Sequence, residues 1–205
     1  FFFFFLGLRT LTVIGDAIRN IKETTGEIVD IDNIPLDDKK TCQMLCAGDT
    51  YGVFQLESAG ITRLVVDLAP ESFEDLIPLV ALYRPGPLGT GMAEDFIAGR
   101  HGHRTAEILH PLMEPILKDT YGVILYQEQV MQIFQQLAGY TYGQADLVRR
   151  AMAKKKKKEL MEQKDKFIFG DPESGITGCA ALGIPSDVAA KIFADMESFA
   201  SYAFN

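Results

Sequence analysis

The side chains best suited to chemistry are basic ones gathered between residues 146 and 166. This segment holds nine lysine or arginine residues and four acidic ones, a local net charge of +5, whereas the whole chain carries −8. A concentrated basic segment on an acidic chain attracts polyanions locally, so the pattern predicts a site for phosphate groups. The residues predicted to form it are Arg149, Arg150 and Lys154, followed by Lys155 and Lys156.

Helical spacing brings part of this segment together. Arg150 and Lys154 are four residues apart and share a face of a helix, while Arg149 diverges by about 100°. A guanidinium group hydrogen-bonds two phosphate oxygens at once and an ammonium group adds a point charge, so a row of three phosphates is the predicted ligand. The alternative is structural: Asp146 is three and four residues before the arginines and could pair with both, and the lysine run could be a solvated face.

Two other polar clusters are weaker candidates. Arg84 lies on a rigid turn, Tyr83–Pro87, and either contacts a ligand or is tied to buried carbonyl groups. The polar cluster Tyr126–Gln129, which includes Gln127, lies at the start of a predicted helix, where it either contacts the bases or backbone of a nucleic acid or forms an N-terminal capping group. The sequence has no P-loop, no GxSxG and no HExxH motif.

Composition limits the class of protein. With 205 residues and 47% hydrophobic residues, the chain is globular. Its three scattered cysteines fit neither a disulfide framework nor a zinc site, so we expect a reducing, cytoplasmic location. The apolar run at residues 1–8 is far shorter than the ~20 residues that cross a bilayer, and it lacks the flanks of a secretory signal, so we expect no membrane association.

Apolar periodicity and capping residues predict a mainly α-helical fold. Tyr51–Leu56 is expected to be a brief strand or extended piece, and Pro78 is expected to kink its helix because it lies beyond the first turn. The predicted helices cover Lys39–Cys46, a segment after Ser58, a segment from Ser72, Gln127–Leu137, Gly143–Met152, Lys154–Phe169 and a segment from Ser186.

Several long motifs, in order along nearly the whole chain, resemble the α (catalytic) subunits of bacterial DNA polymerase III, the C-family replicative polymerases. The motifs are Phe54–Ser58, Phe73–Ile77, Ala81–Pro87, Tyr121–Met131, Leu137–Tyr140, Asp146–Met152 and Phe199–Asn205. The resemblance implies a remnant of a palm strand at residues 1–8 and a helical fingers domain at 9–205 that is truncated at its C-terminus. It also implies a DNA-directed DNA polymerase of chromosomal replication, of which this fragment alone is inactive because most of the palm is absent.

The resemblance also implies roles for individual residues. Those expected to bind the incoming deoxynucleoside triphosphate are Arg149, Arg150, Lys154 and Arg84, and those expected to contact DNA are Lys155, Lys156 and Gln127. The cofactor implied is Mg²⁺, with ligands mostly outside this chain. The partners implied for the full-length protein are template-primer DNA, deoxynucleotides, the sliding clamp, a proofreading exonuclease and clamp-loader subunits.

The N-terminus departs from the family pattern. Phe2 and Phe4 stand where the family has a lysine and the third metal-binding aspartate, and a phenylalanine cannot bind a hard cation. Five identical residues beside an intact motif favour a misassigned palm strand; the alternative is a non-catalytic homologue that binds DNA or a replisome partner. Ala153 replaces the usual glycine. A third interpretation is a helical interaction module with a solvated lysine tract.

Overall fold

The computed structural model describes residues 8–154 and 157–203, and the mainly α-helical fold is confirmed. The chain divides into two compact units, Phe1–Phe73 and Glu74–Asn205. None of the helices within the described ranges is long and apolar enough to span a membrane. The α-helices are α1 (Arg9–Thr25), α2 (Lys39–Cys46), α3 (Ala59–Leu68), α4 (Leu76–Leu82), α5 (Pro85–Gly89), α6 (Met92–Arg100), α7 (Glu114–Leu117), α8 (Gln127–Ala138), α9 (Tyr142–Ala153), α10 (Lys157–Phe169) and α11 (Ser186–Ala203).

The predicted boundary between a palm strand and a fingers domain stays a prediction. Residues 1–7, and with them Phe4, lie outside the described residues, and the described chain begins with Leu8 and α1. Helix α1, which has no buried residue, was not predicted. The apolar spacing of Leu11, Ile14 and Ile18 was the signal that could have found it.

In the first unit, two helices follow their sequence signals. The Asp38 carboxylate accepts a hydrogen bond from the Thr41 amide at 2.8 Å and caps α2, which packs against α3. The predicted strand at Tyr51–Leu56 is wrong, because this segment is a series of turns. Gly52 and Gln55 both adopt positive φ, at 79° and 64°, which a continuous strand does not accommodate.

The second unit begins with a tight turn that corrects the predicted kink. α4 starts at Leu76, after a 3₁₀ turn at Phe73–Asp75, so Pro78 lies in the first helical turn, where a missing N–H costs nothing. Two nitrogens of Arg100, at the end of α6, donate to the two Asp75 oxygens at 2.8 and 2.9 Å, and both side chains are 16% exposed. This paired contact fastens the start of α4 to α6.

The core of the second unit surrounds α8. α8 packs against α7, α9 and α10, and its predicted apolar stripe is fully buried. Phe134 is the centre of an aromatic cluster, with its ring centroid 5.1 Å from that of Phe167 and 6.1 Å from that of Phe193. Gly139 adopts φ 74° directly after α8 and ends it as predicted.

The predicted basic helix from Lys154 to Phe169 is wrong at its start. α9 ends at Ala153, and the Lys154 amide donates to the Arg150 carbonyl at 3.2 Å as the C-cap of that helix. α10 begins at Lys157, and Lys155 and Lys156 lie outside the described residues. Lys154 therefore extends the end of the helix that carries the arginines and does not belong to the helix that follows.

The turn after α10 contains a well-held carboxylate. Asp171 Oδ2 lies 2.6 Å from Lys166 Nζ and accepts a hydrogen bond from Ser174 Oγ at 2.7 Å. These contacts, the lysine first, lower the pKa of Asp171 from 3.8 to about 2. The backbone here is crowded: a Cβ on Gly178, whose φ is 81°, would lie 2.2 Å from the Gly170 nitrogen.

Asp171 makes the stability of the second unit dependent on acid pH. Since its folded-state pKa lies below the unfolded value, the stabilisation is complete above about pH 4 and is lost as the pH falls towards 2. We expect Asp171→Asn to lower the melting temperature at pH 7. On acidification, the melting temperature of this variant should fall less than that of the unchanged protein. The control is Glu173→Gln, an exposed carboxylate two residues away; equal pH dependence in all three proteins would contradict the prediction.

Candidate phosphate-binding site

A capping box sets the register of α9. The Thr141 hydroxyl accepts a hydrogen bond from the Gln144 backbone N–H at 3.3 Å, and Gln144 Oε1 accepts one from the Thr141 backbone N–H at 2.8 Å. Because helix periodicity then places Ala145, Val148 and Met152 in the core, the residues between them face outward. The outward-facing set contains Asp146, Arg149 and Arg150.

Arg149 donates three hydrogen bonds to two residues. Its Nε and Nη2 donate to Asp146 Oδ1 at 3.0 and 2.6 Å, and its Nη1 donates to Gln127 Oε1 at 2.7 Å. The side chain is only 19% exposed. Arg149 is therefore oriented by its own helix and by the first residue of α8.

Arg150 is much more open to solvent. Its Nη2 lies 2.7 Å from Asp146 Oδ2, and its side chain is 62% exposed. Hydrogen bonds from Arg149, then from Arg150, lower the pKa of Asp146 despite some desolvation, so this carboxylate is charged at neutral pH. The ion pairs foreseen as the structural alternative are thus present, and they leave the Arg150 side chain largely accessible.

A cavity is shared by two further candidates, Arg84 and Gln127. It has a volume of about 340 Å³ and lies between α5, the start of α8 and α11. Arg84 is exposed at its edge, with Nε 3.4 Å from the Val80 carbonyl, so it is not tied firmly to buried carbonyl groups. The residues lining the cavity are Ala81, Arg84, Pro87, Leu125, Tyr126, Gln127, Glu128 and Phe199.

Gln127 links the cavity to the arginines, because it lines the cavity and its Oε1 accepts a hydrogen bond from Arg149. The structure therefore brings together Arg84, Gln127, Arg149 and Arg150, which we call the arginine surface. Lys154 is exposed one turn further along α9, and Lys155 and Lys156 lie beyond the described part of the chain.

A larger cavity, of about 370 Å³, is a poorer site for an anion. Its basic residues are neutralised by neighbours: Arg104 Nε lies 3.5 Å from Asp95, and Lys191 Nζ lies 3.0 Å from Glu107. Asp195 adds another carboxyl group, whose pKa is raised by burial. Its rim thus offers more acidic than basic side chains.

Gln129 belongs to the polar cluster Tyr126–Gln129 that the sequence indicated as a possible capping group. Its amide is buried and makes four hydrogen bonds, which satisfy both its oxygen and its nitrogen. The oxygen accepts from the Leu125 and Tyr126 amides at 2.8 and 2.9 Å, and the nitrogen donates to the Ile116 carbonyl and Thr120 Oγ1 at 3.1 and 2.8 Å. These bonds fix the backbone that enters α8 just before Gln127. The capping group expected at this helix start is therefore Gln129.

Metal ligands do not gather in the part of the chain that the structure describes. Residues 8–154 and 157–203 contain no group of three or more histidine, cysteine or acidic side chains that could hold a metal ion. These residues therefore do not fit a metal centre, and Phe4, at the expected ligand position, lies outside them.

Comparison with known proteins identifies the family. The model of the bacterial DNA polymerase III alpha subunit finger domain matches residues 10–175. The chain belongs to the bacterial DNA polymerase III alpha subunit family. It is 50% identical to DNA polymerase III subunit alpha of Pseudomonas aeruginosa over 99% of its length, 48% to that of Escherichia coli K12 over 99%, and 46% to that of Aquifex aeolicus over 98%.

The chain spans 17–18% of the length of these DNA polymerase III alpha subunits. The match includes the whole arginine surface, since Arg84 to Arg150 lie inside the segment matched by the finger-domain model. The mainly helical fold and the family expected from the sequence motifs are both confirmed.

The Gln129 network yields a stability prediction. Gln129→Met keeps the volume of the side chain but leaves its four partners without this bond, and each buried unsatisfied group costs about 1–3 kcal/mol. We expect a loss of about 2–4 kcal/mol in the free energy of unfolding, since water and local relaxation recover part of that cost. The measurement is denaturant unfolding.

The control for this variant is Gln132→Met, an exposed glutamine on the same helix. It should change the free energy of unfolding by less than about 0.5 kcal/mol. Equal effects at the two positions would show that the buried network does not support the start of α8.

Proposed function

We propose that the chain is the fingers region of a DNA-directed DNA polymerase of bacterial chromosome replication, and that its arginine surface binds the triphosphate of the incoming deoxynucleotide. The observation that carries this proposal is the pair of adjacent guanidinium groups, one fixed and one exposed, beside the Arg84–Gln127 cavity. Membership of the polymerase III alpha subunit family supports it.

Charge and shape favour a phosphate ligand. Asp146 already presents two oxygens to the two guanidinium groups, at 2.6 and 2.7 Å, and a phosphate offers oxygens with similar acceptor geometry. Arg84, at the cavity that Gln127 also lines, and Lys154, the C-cap residue of α9, add two exposed cations. A triphosphate carries more charge than one carboxylate, so it competes well for the open face of Arg150.

In the proposed reaction the arginine surface binds and orients the triphosphate. The primer 3′ hydroxyl attacks the α-phosphate in line, the new phosphodiester bond forms, and the bond to the leaving pyrophosphate breaks. Positively charged donors held in place before reaction stabilise the charge that develops on the phosphate oxygens. We assign Mg²⁺ to the full-length polymerase, with ligands mostly outside this chain.

The first test is Arg150→Ala in the full-length polymerase. Loss of a charge-assisted bond to phosphate should lower kcat/KM for the deoxynucleotide by about tenfold to about a hundredfold. Arg150→Lys should recover part of the loss because it keeps the charge but not the fork. Steady-state incorporation on a defined primer-template measures both.

The matched control is Arg19→Ala, which removes another exposed arginine that pairs with an aspartate on its own helix. It should leave kcat/KM unchanged. If Arg150→Ala also leaves kcat/KM unchanged, the assignment of the arginine surface to the triphosphate is wrong.

A second proposal concerns Lys155 and Lys156, which we assign to the template-primer backbone. Each phosphate contact that releases a counterion adds about 0.9 to the slope of log affinity against log salt concentration. Replacing these two lysines with glutamine should therefore reduce that slope by about 2 in the full-length protein. An unchanged slope would instead favour a solvated lysine face, and fluorescence anisotropy with labelled primer-template makes the measurement.

The clamp, the proofreading exonuclease and the clamp-loader subunits are proposed partners of the full-length protein.

A further inference from the structure

Asp146 lies between the two arginines and touches both. Its Oδ1 accepts from Nε and Nη2 of Arg149, at 3.0 and 2.6 Å, and its Oδ2 accepts from Nη2 of Arg150 at 2.7 Å. The carboxylate is 22% exposed, so it is partly shielded while remaining next to solvent. One carboxylate thus uses its two oxygens for two different guanidinium groups.

The two contacts differ in how firmly they hold the arginine side chains. Arg149 is mostly buried and also bonded to Gln127, so its contact with Oδ1 is part of the framework. Arg150 is mostly exposed, and its contact with Oδ2 is at the open side of the carboxylate. A ligand that arrives from solvent can therefore replace Oδ2 as the hydrogen-bond acceptor of Arg150 while Arg149 keeps its bonds.

We propose that Asp146 is a positioning residue for the nucleotide: it fixes Arg149 through Oδ1 and holds Arg150 ready through Oδ2 until a phosphate takes over that contact. This inference rests on the proposed function and adds a role that the resemblance and the comparisons do not assign. Asp146 itself does not touch the substrate in this account.

Preorganisation is the physical reason for such a role. An arginine side chain has many rotamers, and a ligand that must select one of them loses affinity through the ordering of that side chain. A carboxylate between two adjacent cations also lessens their repulsion, so both guanidinium groups can point towards the same region. The ion pair held in the absence of ligand therefore lowers the ordering that nucleotide binding requires.

A rival role for Asp146 predicts the opposite result. If the carboxylate only competed with the triphosphate for the arginines, removing its charge would tighten nucleotide binding. If it only stabilised the helix, removing it would lower the melting temperature without specific coupling to Arg150.

The test uses Asp146→Asn and Asp146→Ala in the full-length polymerase, with single-turnover incorporation to separate the apparent Kd of the deoxynucleotide from the maximal rate. The amide of Asn keeps one acceptor oxygen but loses the charge and the second acceptor, whereas Ala loses both contacts. We expect the apparent Kd to rise about fivefold in Asp146→Asn and further in Asp146→Ala, while the maximal rate changes less. The control is Asp16→Asn, which breaks an Asp–Arg pair of the same three-residue spacing on α1 and should change neither quantity.

A double-mutant cycle with Arg150→Ala decides between positioning and a purely structural role. If Asp146 acts through Arg150, the loss caused by Arg150→Ala is smaller in the Asp146→Asn background than in the unchanged protein. Additive losses, an unchanged apparent Kd, or a lower apparent Kd in Asp146→Asn would each overturn the proposal. If Arg150→Ala has no effect in the unchanged protein, the proposed function itself fails; if only the Asp146 variants are silent, the positioning role alone fails.

Discussion

The hydrogen bond from Arg149 Nη1 to Gln127 Oε1, 2.7 Å long, is the contact on which the site depends. It joins the last turns of α9 to the first residue of α8 and so connects the arginines to the cavity edged by Arg84. It adds a contact from a second helix to the pair that Arg149 forms with Asp146 on its own helix. With it, two helices present their polar ends as one surface.

This contact is possible because both helices are fixed from the apolar side. α8 and α9 pack closely against each other, and the rings of Phe134, Phe167 and Phe193 fill the space below them. Gln129 fixes the entry to α8 from within that core, and the capping box at Thr141 fixes the entry to α9. The direction of each functional side chain thus follows from the burial of its neighbours. Because these neighbours are closely packed, moving them costs free energy, and the geometry of the surface is maintained.

Sequence patterns predicted the helices that have strong periodicity and clear ends. α8 was predicted from its stripe of Val130, Ile133 and Leu137 and from Gly139, and α2 from its start and end residues, because burial and capping are local signals. The turns at Gly52 and Gln55 and the first-turn position of Pro78 were not predicted, since they depend on where neighbouring backbone lets an element begin. Two helices were predicted on either side of the lysine run, but the start of the second was placed at Lys154 and not at Lys157, because a continuous run of lysines has uniform helix propensity.

For the candidate site, charge and spacing were enough to single out Arg149, Arg150 and their possible pairing with Asp146. They could not show which arginine is fixed and which is exposed, because that difference arises from Gln127, twenty-two residues away in sequence. A capping role for the cluster that contains Gln129 was predicted, but its bonds to Ile116 and Thr120 were not, since these residues meet Gln129 only in the folded chain.

The most direct measurement is a structure of the full-length polymerase bound to primer-template and a non-hydrolysable deoxynucleoside triphosphate. We expect Arg150 to lie within about 3 Å of a triphosphate oxygen while Arg149 keeps its bond to Gln127. A triphosphate bound elsewhere, with Arg150 still paired to Asp146, would contradict it.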